Sequence, residues 1–481
     1  MDGKAGAQIS RQAFLQSAGI LLALMLAAGV LTRVIPAGSF DRAVVDGRSL
    51  VLADTYHRVQ APDVPIWRWL TAPIEVLFGS DGLNVIMIIV FIVLVGGAFA
   101  VLDRTGILSG SVAGLVKRFA GRKRQLLAVI TLFFMLLGAL FGVFEEVVPL
   151  IPLMVALAYS LGWDALVGLG MSILATNMGF SAAIANPFTI GVAQQLAGLP
   201  LFSGAGLRAV IFLLFYLILF IFLDRYARRI EARPESSLVY RVDQTLRARA
   251  FGEDRPAQAP ARLSAAIRWF LILVVLILAL LVAAPFVPAL SSITLPLVGI
   301  LFLAAGVGAG LVSGAGGRTT FKALLEGIQG IAPGILLILM AVSIKHIVAQ
   351  GAILDTILHA ASRPFAGSSP TVAVLAAFGV TLVIEIFVAS GSAKAFLLMP
   401  ILVPLADLLG LTRQTMVLGY AFGDGFSNMV YPTNAVLLIS LGLTVVSYPV
   451  WLRWTARLWL VVLALSAALL ALAVAIGYGP F

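Results

Sequence analysis

Cysteine is absent from all 481 residues, and histidine occurs three times, at His57, His346 and His359. The chain therefore makes no disulfide, no thiolate metal site and no cysteine nucleophile. The three histidines lie too far apart for metal-ligand spacing and are read as packing or surface residues. No GxxxxGK[ST] segment occurs, which argues against a built-in ATPase. The glycines of Gly306-Val307-Gly308-Ala309-Gly310 imitate a nucleotide fingerprint, but no strand precedes them; in a membrane helix such small residues mean close packing. Charged residues make up only 11% of the chain, and the formal charge of +10 sits in loops beside apolar spans. That distribution is the positive-inside pattern and points away from nucleic acid.

Hydrophobic residues make up 61% of the chain, and several runs reach the roughly 20 residues needed to cross a bilayer. Ser17–Val34 lacks a convincing cleavage site and is read as a retained helix. The polar stretch Arg225–Arg262 carries nine Arg against five acidic residues and reads as a cytoplasmic linker. Lys117, Arg118, Arg122, Lys123 and Arg124 belong on the same side, as does the N-terminus, with Pro36–Pro65 outside. The chain then divides into a first membrane repeat (1–224), the linker (225–263), and a connecting helix with a second repeat (264–481).

Charge parity leaves Gly106–Gly121 as a helix along the inner surface. Residues 125–161 form a re-entrant hairpin whose tip is Gly142-Val143-Phe144-Glu145-Glu146. A carboxylate facing lipid at the midplane costs about 2.5–3.5 kcal/mol on insertion scales, which a hairpin facing the protein interior avoids. Residues 164–199 are too long and too polar for one ordinary helix, with interruptions expected at Asn177–Ser181 and at Asn186-Pro187. The second half repeats this plan with a surface helix Ile353–Gly367, a hairpin 370–409 and a broken helix 415–443. The expected fold is an all-α polytopic membrane protein with about nine transmembrane helices, two opposed re-entrant hairpins and two unwound helices.

The halves are copies. Ile107, Leu108, Phe119, Ala120 and Gly121 recur as Ile353, Leu354, Phe365, Ala366 and Gly367. Pro152, Leu157, Ala158, Leu161, Gly162 and Asn186 recur as Pro400, Leu405, Ala406, Leu409, Gly410 and Asn434. Opposite entry of the two hairpins makes this an inverted repeat, and paired polar interruptions mark the binding region of a secondary transporter.

Four constellations follow. The second hairpin tip, Ser390-Gly391-Ser392-Ala393-Lys394, offers backbone NH groups, two hydroxyls and a point charge to an anion. Its bland alternative is a lysine paired with a carboxylate such as Glu385. The first tip offers Glu145 and Glu146 to a cation, a proton or a substrate amino group, or as a partner for Lys394. The broken helices offer Asn177, Ser181 and Asn186 in one half, and Asp424, Ser427, Asn428, Thr433 and Asn434 in the other. Asp424 has an equal reading as a structural cap, and the polar breaks an alternative role in satisfying kinked backbone. Lys345 and His346, within or near a crossing, read as end-of-helix residues with a proton path as the alternative, and Trp67, Trp69, Trp451, Trp454 and Trp459 as an interfacial belt.

With these motifs placed, the chain resembles the YfcC-type branch of the C4-dicarboxylate carrier (DcuC-like) family of the ion transporter superfamily. The matching stretches are FEEVVPLIPLMVALAYSLGWD, NPFTIGVAQQLAGLPLFSG, SGSAKAFLLMPILVPLADLLG and GDGFSNMVYPTN. The resemblance implies a bacterial inner-membrane carrier for small carboxylates or amino acids, with some relatives similar to arginine/ornithine exchangers. Its architecture resembles that of p-aminobenzoyl-glutamate transporters: nine crossings, two opposed hairpins and a homodimer. By position, Ser390, Ser392, Lys394, Asn186, Thr433 and Asn434 would line the site, with Gly391 at the same tip. Pro432-Thr433-Asn434 stands where the superfamily has a Ser-Asn-Thr cation motif, without reproducing it.

The expectation is a secondary active transporter of an amino acid or C4-dicarboxylate, needing no cofactor, coupled to Na⁺ or H⁺ or exchanging. Ser390, Gly391, Ser392, Lys394, Asn186, Thr433 and Asn434 bind substrate in this reading. Glu145, Glu146, Asn177, Asp424 and Asn428 hold the coupling ion or a cationic group. A passive channel is the first rival, and an intramembrane hydrolase using Ser392 and Lys394 the second.

Overall fold

The computed structural model describes residues 11–45, 48–52, 55–79, 82–108, 110–111, 121–244, 262–284, 287, 290, 293–362 and 368–479. Ten helices in these residues are long and apolar enough to cross a bilayer, and the protein is an all-α polytopic membrane protein. Eight of the ten coincide with expected crossings: α1 (Arg11–Val34), α3 (Gly82–Arg104), the segment from Ala165 to Leu196, α9 (Ala205–Ala232), α10 (Leu263–Ala283), α11 (Thr294–Val312), α12 (Gly317–Gln350) and α18 (Tyr448–Ala475). The remaining two, α4 (Lys123–Phe141) and α15 (Gly391–Leu408), fall within the segments 125–161 and 370–409 expected to be hairpins. The expected crossing 415–443 is split into α16 (Arg413–Ser427) and α17 (Ala435–Gly442), each too short to count alone.

Apolar faces without a water-filled alternative leave the backbone no partner but itself, so even the Val- and Ile-rich α3 is helical. The expected close packing at the glycine run is present: a Cβ on Gly306 would lie 2.7 Å from the Ala98 carbonyl oxygen. Outside the helices, β1 (Gly38–Ser39) pairs with β4 (His57–Arg58) and β2 (Arg42–Val45) with β3 (Arg48–Val51), both antiparallel. This cap is held to α13 (Leu354–Ser362) by a two-oxygen contact from Arg42 to Asp355. His359 stacks on Tyr56 at 4.0 Å. The short α2 (Arg68–Glu75) is tied to α12 through Glu75 and Gln350, 3.0 Å apart.

In the first hairpin, α4 ends at Gly142 in the left-handed conformation (φ 66°). A 3-10 turn, Glu145–Leu150, and α5 (Ile151–Ser160) lead back. The ends of this segment meet, with Lys123 Nζ donating to the Leu161 carbonyl at 2.7 Å. The second segment runs α14 (Pro370–Glu385), a non-helical tip and α15. Ser369 caps α14, with Pro370 at its first position.

Three sequence expectations need revision. Asn177–Ser181 does not interrupt its helix: it lies inside α7 (Ala175–Ala182), because Ser181 Oγ donates to the Asn177 carbonyl and Thr176 Oγ1 to Ser172. Polar side chains that bond their own preceding turn leave the helix intact. The break falls at Ala183 (φ 44°) through Asn186, as the residues before Pro187 are disfavoured in helix. Next, α9 continues beyond residue 224 to Ala232, where Arg124 reaches Asp224 and Glu231. Finally, Trp69, Trp451 and Trp454 are buried, and Trp451 Nε1 donates to Met429 at 2.7 Å, so these rings pack inside the bundle; Trp67 is exposed. Of the segments expected to form the inner surface helix and the linker, residues 112–120 and 245–261 lie outside the described residues.

Candidate functional site: a polar cavity and a buried ion triad

The two breaks restart in the same way. Asn186 Oδ1 accepts from Phe188 N (2.9 Å) and Thr189 N (3.3 Å) at the start of a π-turn, Pro187–Gly191, which leads into α8 (Val192–Leu196). Asn434 Oδ1 accepts from Leu437 N at 3.0 Å at the start of α17. The paired asparagines are thus N-caps that satisfy otherwise orphaned amides. Asn434 also donates to Asn428 Oδ1, and Asn428 Nδ2 donates to the Asp424 carbonyl at 3.1 Å, so the second break is cross-linked. On the first side, both polar atoms of Asn177, inside α7 ahead of the break, and the Asn186 amide nitrogen are buried with no hydrogen-bond partner among the described residues.

Between the hairpin tips and the breaks lies a cavity of about 380 Å³. Glu145 and Glu146 line it from the first tip, and Ser390, Gly391 and Ser392 from the second. Asn428, Thr433 and Asn434 line it from the second break. Glu146 Oε2 accepts from the Phe144 amide at 3.2 Å, which fixes that carboxylate across the tip. Ser390 caps α15, accepting from Ala393 N at 3.4 Å. Lys345 of α12 and Thr189 of the π-turn also line this space. Sequence reading favoured an end-of-helix role for Lys345 over a place in a proton path and passed over Thr189, whose one signal was its place three residues after Asn186.

Of the residues expected to bind substrate or a cation, Lys394, Asp424, Asn177 and Asn186 stand outside the cavity lining, as do Ser181 and Ser427 of the broken helices. Lys394 and Asp424 are brought together instead. Lys394 Nζ contacts Asp424 Oδ1 at 2.8 Å and also Glu385, and all three side chains are sealed, at 0–1% exposure. Tyr420, one helical turn before Asp424, donates its hydroxyl to the Gly391 carbonyl. Glu146 is not the partner of Lys394; the ion pair joins α14, α15 and α16 within the second half.

Gly391 is the wall between the two groups. It lines the cavity, and a Cβ on it would lie 2.8 Å from both Asp424 Oδ2 and Thr189 Cγ2. Only glycine allows the tip so close to both broken helices.

A bundle of apolar spanning helices enclosing a polar, charged cavity at paired helix breaks defines a membrane transporter. Residues 14–475 match the family of C4-dicarboxylate anaerobic carriers, DcuC, and the chain belongs to that family. It is 31% identical, over 95% of its length and 96% of the relative's, to the Escherichia coli K12 protein named "Putative basic amino acid antiporter YfcC". Among solved structures it is similar to the YdaH transporter of Alcanivorax borkumensis, at 20% identity and a TM-score of 0.41, covering 97% of this chain and 98% of that one. It is also similar to MtrF of Neisseria gonorrhoeae, at 17% identity and a TM-score of 0.39, covering 96% and 95%.

Proposed function

We propose that this protein is a secondary active transporter that exchanges an amino acid bearing a second cationic group, by alternating access in the bacterial inner membrane. The observation that carries the reading is the cavity itself, with a carboxylate pair on one tip and hydroxyls on the other. Its volume of about 380 Å³ falls in the roughly 300–1,000 Å³ range of small-molecule sites. Glu145 and Glu146 suit the cationic end of such a solute. Ser390, Ser392 and the Asn428–Asn434 pair suit its carboxylate and amino group, and Lys345 gives that carboxylate a countercharge. The carboxylates outnumber the ammonium in the lining, which favours a basic amino acid over a dicarboxylate, in line with the name of the Escherichia coli relative.

Two features support carriage over hydrolysis. Lys394 is engaged by Glu385 and Asp424, which leaves Ser392 without the general base a serine–lysine mechanism needs. The ends of the first segment meet at Lys123 and Leu161, which supports reading it as a hairpin whose tip withdraws from the cavity. Arg124 joins Asp224 and Glu231 at the end of α9, and the basic residues gathered there support a cytoplasmic side for this end under the positive-inside rule.

The test is counterflow in proteoliposomes loaded with arginine, lysine or ornithine, with succinate and fumarate in parallel. Saturable exchange of a basic amino acid is expected. Exchange confined to the dicarboxylates would transfer the reading to them, and non-saturating flux without counterflow would indicate a channel.

A further inference from the structure

The buried triad of Glu385, Lys394 and Asp424 carries two carboxyl groups against one ammonium. All three side chains are sealed from solvent, and among the described residues Glu385 and Asp424 find no hydrogen-bond donor beyond the lysine. With both carboxyls ionised, the group would hold an uncompensated negative charge in the protein interior, where such a charge is strongly unfavourable. Among the described side chains no cation other than Lys394 pairs with either carboxyl, and Lys345 lines the cavity on the far side of Gly391. Tyr420 is committed to the Gly391 carbonyl. The packed segments α7, Pro187–Gly191 and α8 carry no titratable side chain. On the other elements packed against α14–α16, Arg413 pairs with Asp407, Asp355 with Arg42, and His359 stacks on Tyr56. Tyr448 is bonded to the Val430 carbonyl, and Arg453 and Arg457 are exposed. Lys394 itself sits between the carboxylates, which leaves no oxygen cage for a metal cation at that point.

We infer that Glu385 and Asp424 share one proton above Lys394, and that this triad is the proton-binding element of the carrier, separated from the substrate cavity by the single residue Gly391. The proton arrives with the closed arrangement, in which tip 390–394 lies against α16, and balances the charge there. Releasing it requires water to reach the triad. That means lifting the tip whose neighbouring residues, Ser390 and Ser392, line the cavity. Substrate contact and proton release thus act on one moving element, which is the condition for coupling.

The assignment depends on the proposed function only in the transport arm of its test. The first arm is infrared spectroscopy of the purified full-length protein. The wild-type-minus-Glu385→Gln difference should show the carbonyl stretch of a protonated carboxyl, and Asp424→Asn should remove the same band. A wild type lacking that band, or a band kept in both variants, overturns the inference. So does stabilisation by NaCl over KCl that is abolished by Glu385→Gln, which would make the missing cation sodium. The second arm measures arginine in proteoliposomes. Glu385→Gln should keep arginine counterflow but lower uptake driven by an imposed pH gradient by about tenfold. Equal loss of both overturns the coupling role. An absence of arginine flux in wild type rejects the substrate reading and leaves the infrared arm decisive.

Discussion

The two tips align in the sequence at the spacing that relates Asn186 to Asn434, yet they dispose of charge in opposite ways. The first tip presents Glu145 and Glu146 to the cavity. The second presents only hydroxyls and backbone there, and turns its one charge, Lys394, inward to Glu385 and Asp424. Position in a duplicated sequence therefore does not fix a residue's role. Glu146 and Lys394 align by the repeat, but one faces a solute and the other holds three helices together. The physical reason is local: Gly391 brings the second tip against Asp424, whereas Gly142 brings the first tip against Asn186, a neutral cap.

The contrast breaks most readily at the buried charge. Lys394→Met should destabilise the protein by about 3–5 kcal/mol, since it strands two interior carboxyl groups. Glu146→Ala, at the aligned position, should cost far less. Melting of both variants in one detergent checks this, and equal losses would erase the distinction between the tips. The reverse ranking holds for ligand binding. Glu145→Gln with Glu146→Gln should weaken arginine binding by about 2–3 kcal/mol, the cost of losing a charged partner in a desolvated site. Isothermal titration would show this, and unchanged affinity would remove the first tip from the site.

The caps sharpen the comparison at lower energy. Asn186→Ala and Asn434→Ala should each destabilise by about 1 kcal/mol, with the larger loss at Asn434, which also bonds Asn428. A difference of the opposite sign in thermal melting would show that the second break is held by other contacts. The smallest effect lies outside the bundle. Hydrogen bonding from Arg68, chiefly, holds the Glu75 carboxyl down at about 2. A depressed carboxylate contributes fully above the ordinary carboxylate range and loses that contribution as pH falls toward about 2. Because Arg68 is well exposed, solvent screening keeps this small. Glu75→Gln should flatten the acid end of the melting-temperature profile slightly, and an unchanged slope would show that α2 is held by other means.

Much of this was legible in the chain. Apolar run lengths gave the spans, and the Asn-Pro and Pro-Thr-Asn segments gave both breaks, because proline's missing donor and asparagine's capping oxygen act locally. The first break was placed too broadly. Whether the polar run Asn177–Ser181 interrupts a helix or bonds back along it depends on neighbours such as Met135, whose carbonyl lies against Gly179. Burial of Trp451 and Trp454 was likewise invisible, since an indole suits a membrane interface and a helix-packed interior equally well.

By itself the sequence determined a duplicated, helical, membrane-embedded chain with polar groups at two tips and two breaks, because hydrophobic length, proline and glycine act over a few residues. Which of those polar groups face a shared cavity, and which are consumed by one another, only the tertiary structure decided. Glu385, Lys394 and Asp424 stand on three different helices, and no local rule sets the approach of one helix to another: that is fixed by packing, here by the absence of a side chain at Gly391.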